Sequence, residues 1–164
     1  MNTNKDEVLI VREYDAPREL VFKVWTDPAH LRNWYAPEGC EIEISHFDFK
    51  KGGKFLHCIY NKALHDCWCT GIFREIVAPE KIVYDMTVSD KHGNPAKPVD
   101  MGMDPDWPAT TTVTVLFESI GDKTRITLHQ AVSQNLAKRT GAYLGWLSML
   151  DKLEHEVAKM ALIP

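Results

Sequence analysis

Residues 133–161 read SQNLAKRTGAYLGWLSMLDKLEHEVAKMA, and this stretch decides the fold. Leu136, Tyr143, Leu147, Leu150, Leu153 and Val157 recur at helical spacing, with Trp146 and Met160 beside them. Lys138, Arg139, Asp151, Lys152, Glu154 and Lys159 fall on the other side. One helix from about Ser133 to Ala161 is therefore expected, roughly 40 Å long at 1.5 Å rise per residue. Gly141 and Gly145 each weaken a helix by about 1 kcal/mol against alanine. Their spacing places them on one side, where they admit either a close neighbour or a ligand. A helix with a single apolar face needs a large partner to cover it.

That partner lies upstream. Val8, Leu9, Ile10 and Val11 make a strand that ends near Tyr14, and Asp15-Ala16-Pro17 starts a helix with Pro17 in its first turn. Val21 with Trp25, and Leu20 with Val24, give this helix an apolar face. Asp27 caps a second short helix opened by Pro28 and carrying Leu31, Trp34 and Tyr35. Strands follow. Ile42 and Ile44 alternate in one phase and Phe47 and Phe49 in the other, so a β-bulge is expected at Ser45-His46. Lys51-Gly52-Gly53 is a hairpin turn, Lys54 to Tyr60 a strand, Asn61 to Asp66 a second turn, and Cys67 to Val77 a strand. Ala78-Pro79-Glu80-Lys81 suits a type I turn with Pro79 second. Ile82, Tyr84, Met86 and Val88 alternate, as do Thr111, Val113, Val115 and Phe117, and then Ile126 and Leu128. Between them, residues 89–109 hold four prolines and read as a long loop.

Sequential strands on short turns make an antiparallel meander. The expected class is α+β: a curved antiparallel sheet of about seven strands around a long C-terminal helix, with two short helices after the first strand. One domain spans residues 1–164, a normal domain length. A bent sheet around a helix leaves space between them, and that space is the basis for expecting a pocket.

Composition removes several functions. The formal net charge is −4, with 19 basic and 23 acidic residues and no basic stripe, so nucleic acid is not an expected partner. No apolar run approaches the roughly 20 residues of a membrane span, and Met1 to Glu7 lacks the apolar region of a signal peptide. A cytoplasmic location with reduced thiols at Cys40, Cys58, Cys67 and Cys69 follows as the expectation. No nucleotide-binding or nucleophile-elbow motif occurs, and no catalytic residue, metal or cofactor is assigned.

Several segments together carry a family resemblance. They are Tyr14-Asp15-Ala16-Pro17-Arg18-Glu19-Leu20-Val21-Phe22, Trp25-Thr26-Asp27-Pro28 and Leu31-Arg32-Asn33-Trp34-Tyr35-Ala36-Pro37. Lys51-Gly52-Gly53-Lys54-Phe55, the run from Gly71 to Tyr84, Val113 to Glu118, and Gly145-Trp146 continue it. With these the chain resembles the SRPBCC superfamily of START lipid-transfer domains and birch-pollen-allergen-like proteins. It is most similar to single-domain relatives of the C-terminal domain of the heat-shock chaperone ATPase activator. The resemblance implies the helix-grip fold and, in many members, an apolar ligand. The Pro-rich loop departs from the family's usual shorter connection.

The candidate ligand-binding residues are Trp25, Trp34, Tyr35, His57, Tyr60, Trp68, Tyr84, Met86, His129, Trp146 and Leu150. Tyrosine and tryptophan pair a broad apolar surface with one polar tip, which suits an amphipathic ligand. Met101, Met103 and Trp107 are placed to cover a pocket mouth or simply to form an exposed loop. If Lys62 to His65 forms the turn, Cys58 lies opposite Cys69, with Cys67 on the same face and His57 on the other. Three thiols so placed could hold zinc, against the commoner reading of small buried core residues. The leading function is binding of a small hydrophobic or amphipathic molecule. The alternatives are a cyclase or hydrolase using His57 or His129 with Asp85 or Glu43, and a co-chaperone-like interaction module or homodimer.

Overall fold

The computed structural model describes residues 6–61 and 66–162. Its elements run β1 (Glu7–Tyr14), α1 (Arg18–Thr26), α2 (Pro28–Trp34), β2 (Glu41–Phe47), β3 (Lys54–Tyr60), β4 (Cys67–Val77), β5 (Lys81–Val88), β6 (Thr110–Ile120), β7 (Lys123–Ser133), α3 (Gln134–Thr140) and α4 (Ala142–Ala161). One antiparallel sheet has the order β1-β7-β6-β5-β4-β3-β2, so each strand from β2 to β7 pairs with its neighbour in sequence and β1 closes against β7. This is the expected α+β helix-grip arrangement.

Local chemistry places the elements. Asp27 accepts a hydrogen bond from the Ala29 amide at 2.9 Å, and Pro28 opens α2. The phase slip of β2 is a register shift between Ile44 and His46 against β3. A second shift between Phe73 and Glu75 on β4 adds to the curvature. On the concave side Val113, Val115, Phe117, Ile126 and Leu128 are buried under α1, and edge-to-face contacts link Phe22 and Trp25 to Phe117.

Four expectations need correction. The C-terminal helix is two helices: Gly141, at φ +88°, ends α3 and begins α4. An L side chain is disfavoured at that φ, so the glycine acts as a C-cap rather than as a weak helical residue. The Ala78–Pro79 bond is cis, and Glu80 donates to the Val77 carbonyl at 2.6 Å. Pro79 is thus third in a turn that begins one residue earlier than expected. The long loop contains a short 3-10 turn at Pro98–Met101 and an antiparallel bridge between Ser89 and Pro95. Finally, β3 and β4 pair one residue away from the expected register, with His57 opposite Cys69 and Cys58 opposite Trp68. The turn that would set this register, 62–65, lies outside the described residues.

The second half of α4 is tied down. Arg12 meets Asp151 at 2.6 Å, Tyr14 donates to the Leu150 carbonyl at 3.1 Å, and Lys152 donates to the Ala36 carbonyl at 2.7 Å. The buried Glu156 accepts from Asn33 at 2.9 Å and lies 2.9 Å from His30 Nδ1. Burial raises that carboxyl, but the Asn33 and His30 hydrogen bonds and Lys159 outweigh it and hold Glu156 below the usual range.

Gly71 has no room for a side chain: a Cβ would overlap the Phe55 ring and the Asp85 carbonyl oxygen. Gly71→Ala should cost about 2–3 kcal/mol, read as a lower urea midpoint, whereas Gly121→Ala, which faces open space, should cost less.

Candidate functional site

Two spaces lie over the concave face of the sheet, the larger beneath α4 and the smaller beneath α1 and α2. The smaller, about 40 Å³, is lined by Trp25, Phe47, Phe49, Phe55, Phe73 and Tyr84 among others. It is room for one or two waters. The larger is a cleft of about 680 Å³, within the usual range for small-molecule sites of about 300–1,000 Å³. Tyr35 and His57 line both spaces and so form the partition between them.

The cleft's floor is the concave face of β3–β5, and its roof is the first part of α4. Ala142 and Gly145 are small there, and Trp146 and Met149 point in. Its mouth is formed by the 89–109 loop, through Met101, Met103 and Trp107. Asp104 and Asp106 of that loop bind one guanidinium, Arg139 on α3, at 3.2 and 3.0 Å. The strap is thereby pinned beside the Gly141 break.

Buried polar groups inside the cleft are satisfied by one another. Trp146 Nε1 donates to Gln130 Oε1 at 2.8 Å, and Gln130 Nε2 donates to Thr111 Oγ1 at 3.1 Å. The Tyr35 and Tyr84 hydroxyls share a hydrogen bond of 2.9 Å, and burial pushes both phenols up, so both remain protonated. His57 stacks on Phe55 with ring centroids 5.5 Å apart and lies edge-on to Tyr35. Burial lowers its pKa to about 4, so it is neutral at physiological pH. Among the described lining residues the charged ones are Asp66 and Asp104, and none is a lysine or arginine.

Of the residues singled out from sequence, Tyr35, His57, Tyr60, Met86 and Trp146 line the cleft, and Trp25 and Tyr84 line the smaller space. The other four line neither. Trp34 is fully buried and donates to the Val24 carbonyl at 3.0 Å. Trp68, opposite Cys58, is on the convex face. His129, 3.0 Å from a Glu7 oxygen, pairs with Leu9 on that same face. Leu150 is turned into the core of α4, β1 and α1. The carboxylates proposed as partners for a histidine base are also elsewhere: Asp85 accepts from Arg74 and Thr112, each at 2.7 Å, and Glu43 is exposed opposite Cys58. The three-thiol cluster does not form, because Cys58 faces away from Cys67 and Cys69; all four cysteines are free. Among the described residues no three His, Cys, Asp or Glu side chains come close enough to share a metal ion. Gln130, Thr111 and Met149 were not anticipated. Gln130 had a signal: it continues the inward phase of Ile126 and Leu128, where a polar residue needs a partner.

The model of the Activator of Hsp90 ATPase homolog 1-like family matches residues 15–158. The chain belongs to that family. Solved structures share the fold of this family member at low identity. A Chromobacterium violaceum protein is 21% identical over 93% of this chain and 96% of its own, with a TM-score of 0.76. Proteins of Arthrobacter aurescens (22%, covering 92% and 85%, TM-score 0.78) and Staphylococcus epidermidis (21%, covering 97% and 93%, TM-score 0.78) are similar. A search of curated proteins finds no match. No described helix is long and apolar enough to cross a membrane.

Two outcomes follow from this geometry. His57 has a folded pKa below its unfolded 6.5, so the unfolded chain takes up the proton first as pH falls. Its contribution is complete above about pH 6.5 and is lost as pH drops toward 4, by up to about 3 kcal/mol. His57→Phe should flatten stability over that interval in denaturant titrations. Arg139→Gln should speed hydrogen exchange at Met101 to Trp107 while leaving β6 and β7 unchanged, since it removes the salt bridges that pin the strap.

Proposed function

We propose that this protein binds one small apolar or amphipathic molecule in the cleft between its sheet and α4. The observation that carries the reading is the cleft itself: about 680 Å³ bordered by methionine and tryptophan, with a few buried polar groups that are uncharged. Methionine adapts to varied apolar shapes, while the Trp146–Gln130–Thr111 chain offers fixed polarity for orientation. The absence of lysine and arginine from the described lining favours a ligand without a carboxylate or phosphate. Tyr35, His57, Tyr60, Met86 and Trp146 are the proposed contacts. Family membership supports a binding domain of this kind, in a reducing cytoplasm where the four free thiols stay free.

A cyclase or hydrolase reading that pairs His57 with a carboxylate needs Asp85 or Glu43 beside it, and both lie across the sheet from it. The binding reading therefore stands first.

The test uses Nile red, a neutral apolar dye, with native mass spectrometry of the same preparation. The dye should bind one per chain and quench or shift tryptophan emission, since Trp107 and Trp146 are in the wall. Ala142→Phe, which fills the roof, should weaken binding at least tenfold, about 1.4 kcal/mol, with unchanged circular dichroism. No dye binding, together with a native mass equal to that of the bare chain, would remove the proposal.

A further inference from the structure

The chain has four cysteines and six methionines, and seven of those ten sulfur-bearing residues line the larger cleft. Cys67 and Cys69 sit two apart on β4 with both side chains inward; Cys40, Met86, Met101, Met103 and Met149 supply the rest. We propose that the Cys67–Cys69 pair binds a soft monovalent d10 metal ion, of the copper(I) class, with methionine thioethers of the cleft wall at its flanks. Metal binding at this pair does not depend on an apolar ligand also binding.

Thiolate and thioether sulfur are soft donors and select copper(I) over hard cations. The same cleft is poor in what other metals want. Zinc in a closed site takes four thiolate or imidazole ligands in a tetrahedron, and no cluster of three His, Cys, Asp or Glu exists among the described residues. Two thiols suffice for copper(I), which accepts two or three sulfur ligands.

The Cys67 and Cys69 side chains are in hydrogen-bond contact, so both sulfurs lie within reach of one ion. The step is Cu⁺ + Cys67–SH + Cys69–SH → [Cys67–S–Cu–S–Cys69]⁻ + 2 H⁺, with no change of oxidation state; a methionine thioether can add a neutral third donor. Two protons leave for one ion that enters, so binding tightens as pH rises. The carboxylates in that lining, Asp66 and Asp104, favour the approach of a cation.

The experiment is an anaerobic titration of the reduced full chain with copper(I), in competition with bathocuproine disulfonate. One ion per chain should be retained, with a thiolate-to-copper charge-transfer band in the ultraviolet. Cys67→Ser/Cys69→Ser should lower affinity about a hundredfold, while Cys58→Ser, on the other face, should leave it within threefold. A tenfold excess of zinc should not displace the copper. Should the double variant fail to fold, Cys67→Ser alone with Met86→Leu/Met149→Leu carries the comparison, each expected to lose at least tenfold. Wild-type affinity in these variants, ready displacement by zinc, or no retained ion would overturn the assignment. Nile red binding measured on the same samples separates this outcome from failure of the apolar-ligand reading.

Discussion

The unequal anchoring of α4 is the constraint on which the rest depends. From Ser148 to Glu156 the helix is held by β1, α2 and the α2–β2 connection, through Tyr14, Arg12, Asn33 and the backbone at Ala36 and Glu38. Leu150, Leu153 and Val157 complete the core there. Toward its N-terminus Ala142 and Gly145 are small, Gly145 lying against Pro37, and Trp146 spans the gap to Gln130 on β7. The helix stands away from β3–β5 at this end, and the cleft is that separation.

The same constraint explains the loop. A strap of residues 89–109 crossing open space would be poorly held by apolar contacts alone. Its anchorage combines the Ser89–Pro95 bridge at its base, Trp107 packed against the core, and two aspartates on Arg139 where α3 gives way to α4. Exposed pairs of this kind contribute little singly, so the strap is held more loosely than the strands beneath it. Access to the cleft is governed by the weakest part of the structure rather than by the sheet.

Much of the fold was legible because it rests on periodicity. The alternation of Ile82, Tyr84, Met86 and Val88 marked β5 as a strand with one apolar face, and the phase slip at Ser45-His46 located a bulge. Asp27 and Pro28 set the boundary between α1 and α2 by capping chemistry alone. The failures came where one residue of register or one dihedral angle matters. A shift of one between β3 and β4 moved Cys58 to the convex face and brought His57 onto the side of Cys67 and Cys69. Gly141 was weighed as a helix-weakening residue, whereas its positive φ makes it a terminator. Aromatic residues could be assigned to elements but not to faces. Trp68 and Trp146 looked equivalent in sequence and lie on opposite sides of the sheet. Met101, Met103 and Trp107 were legible as one possible cover for the pocket mouth, but the pinning of their loop was not, because the contact between Arg139 and Asp104 spans 35 residues that no local pattern connects.

The account's central claim is that unfilled volume persists between α4 and β3–β5. The most direct measurement is a crystal structure determined under xenon pressure, since xenon occupies apolar space without requiring a specific ligand. Xenon should locate beside Met86, Trp146 and Met149, with α4 held at its present distance from the sheet. A structure in which Met101, Met103 and Trp107 have collapsed into that space, with no xenon bound there, would contradict the account.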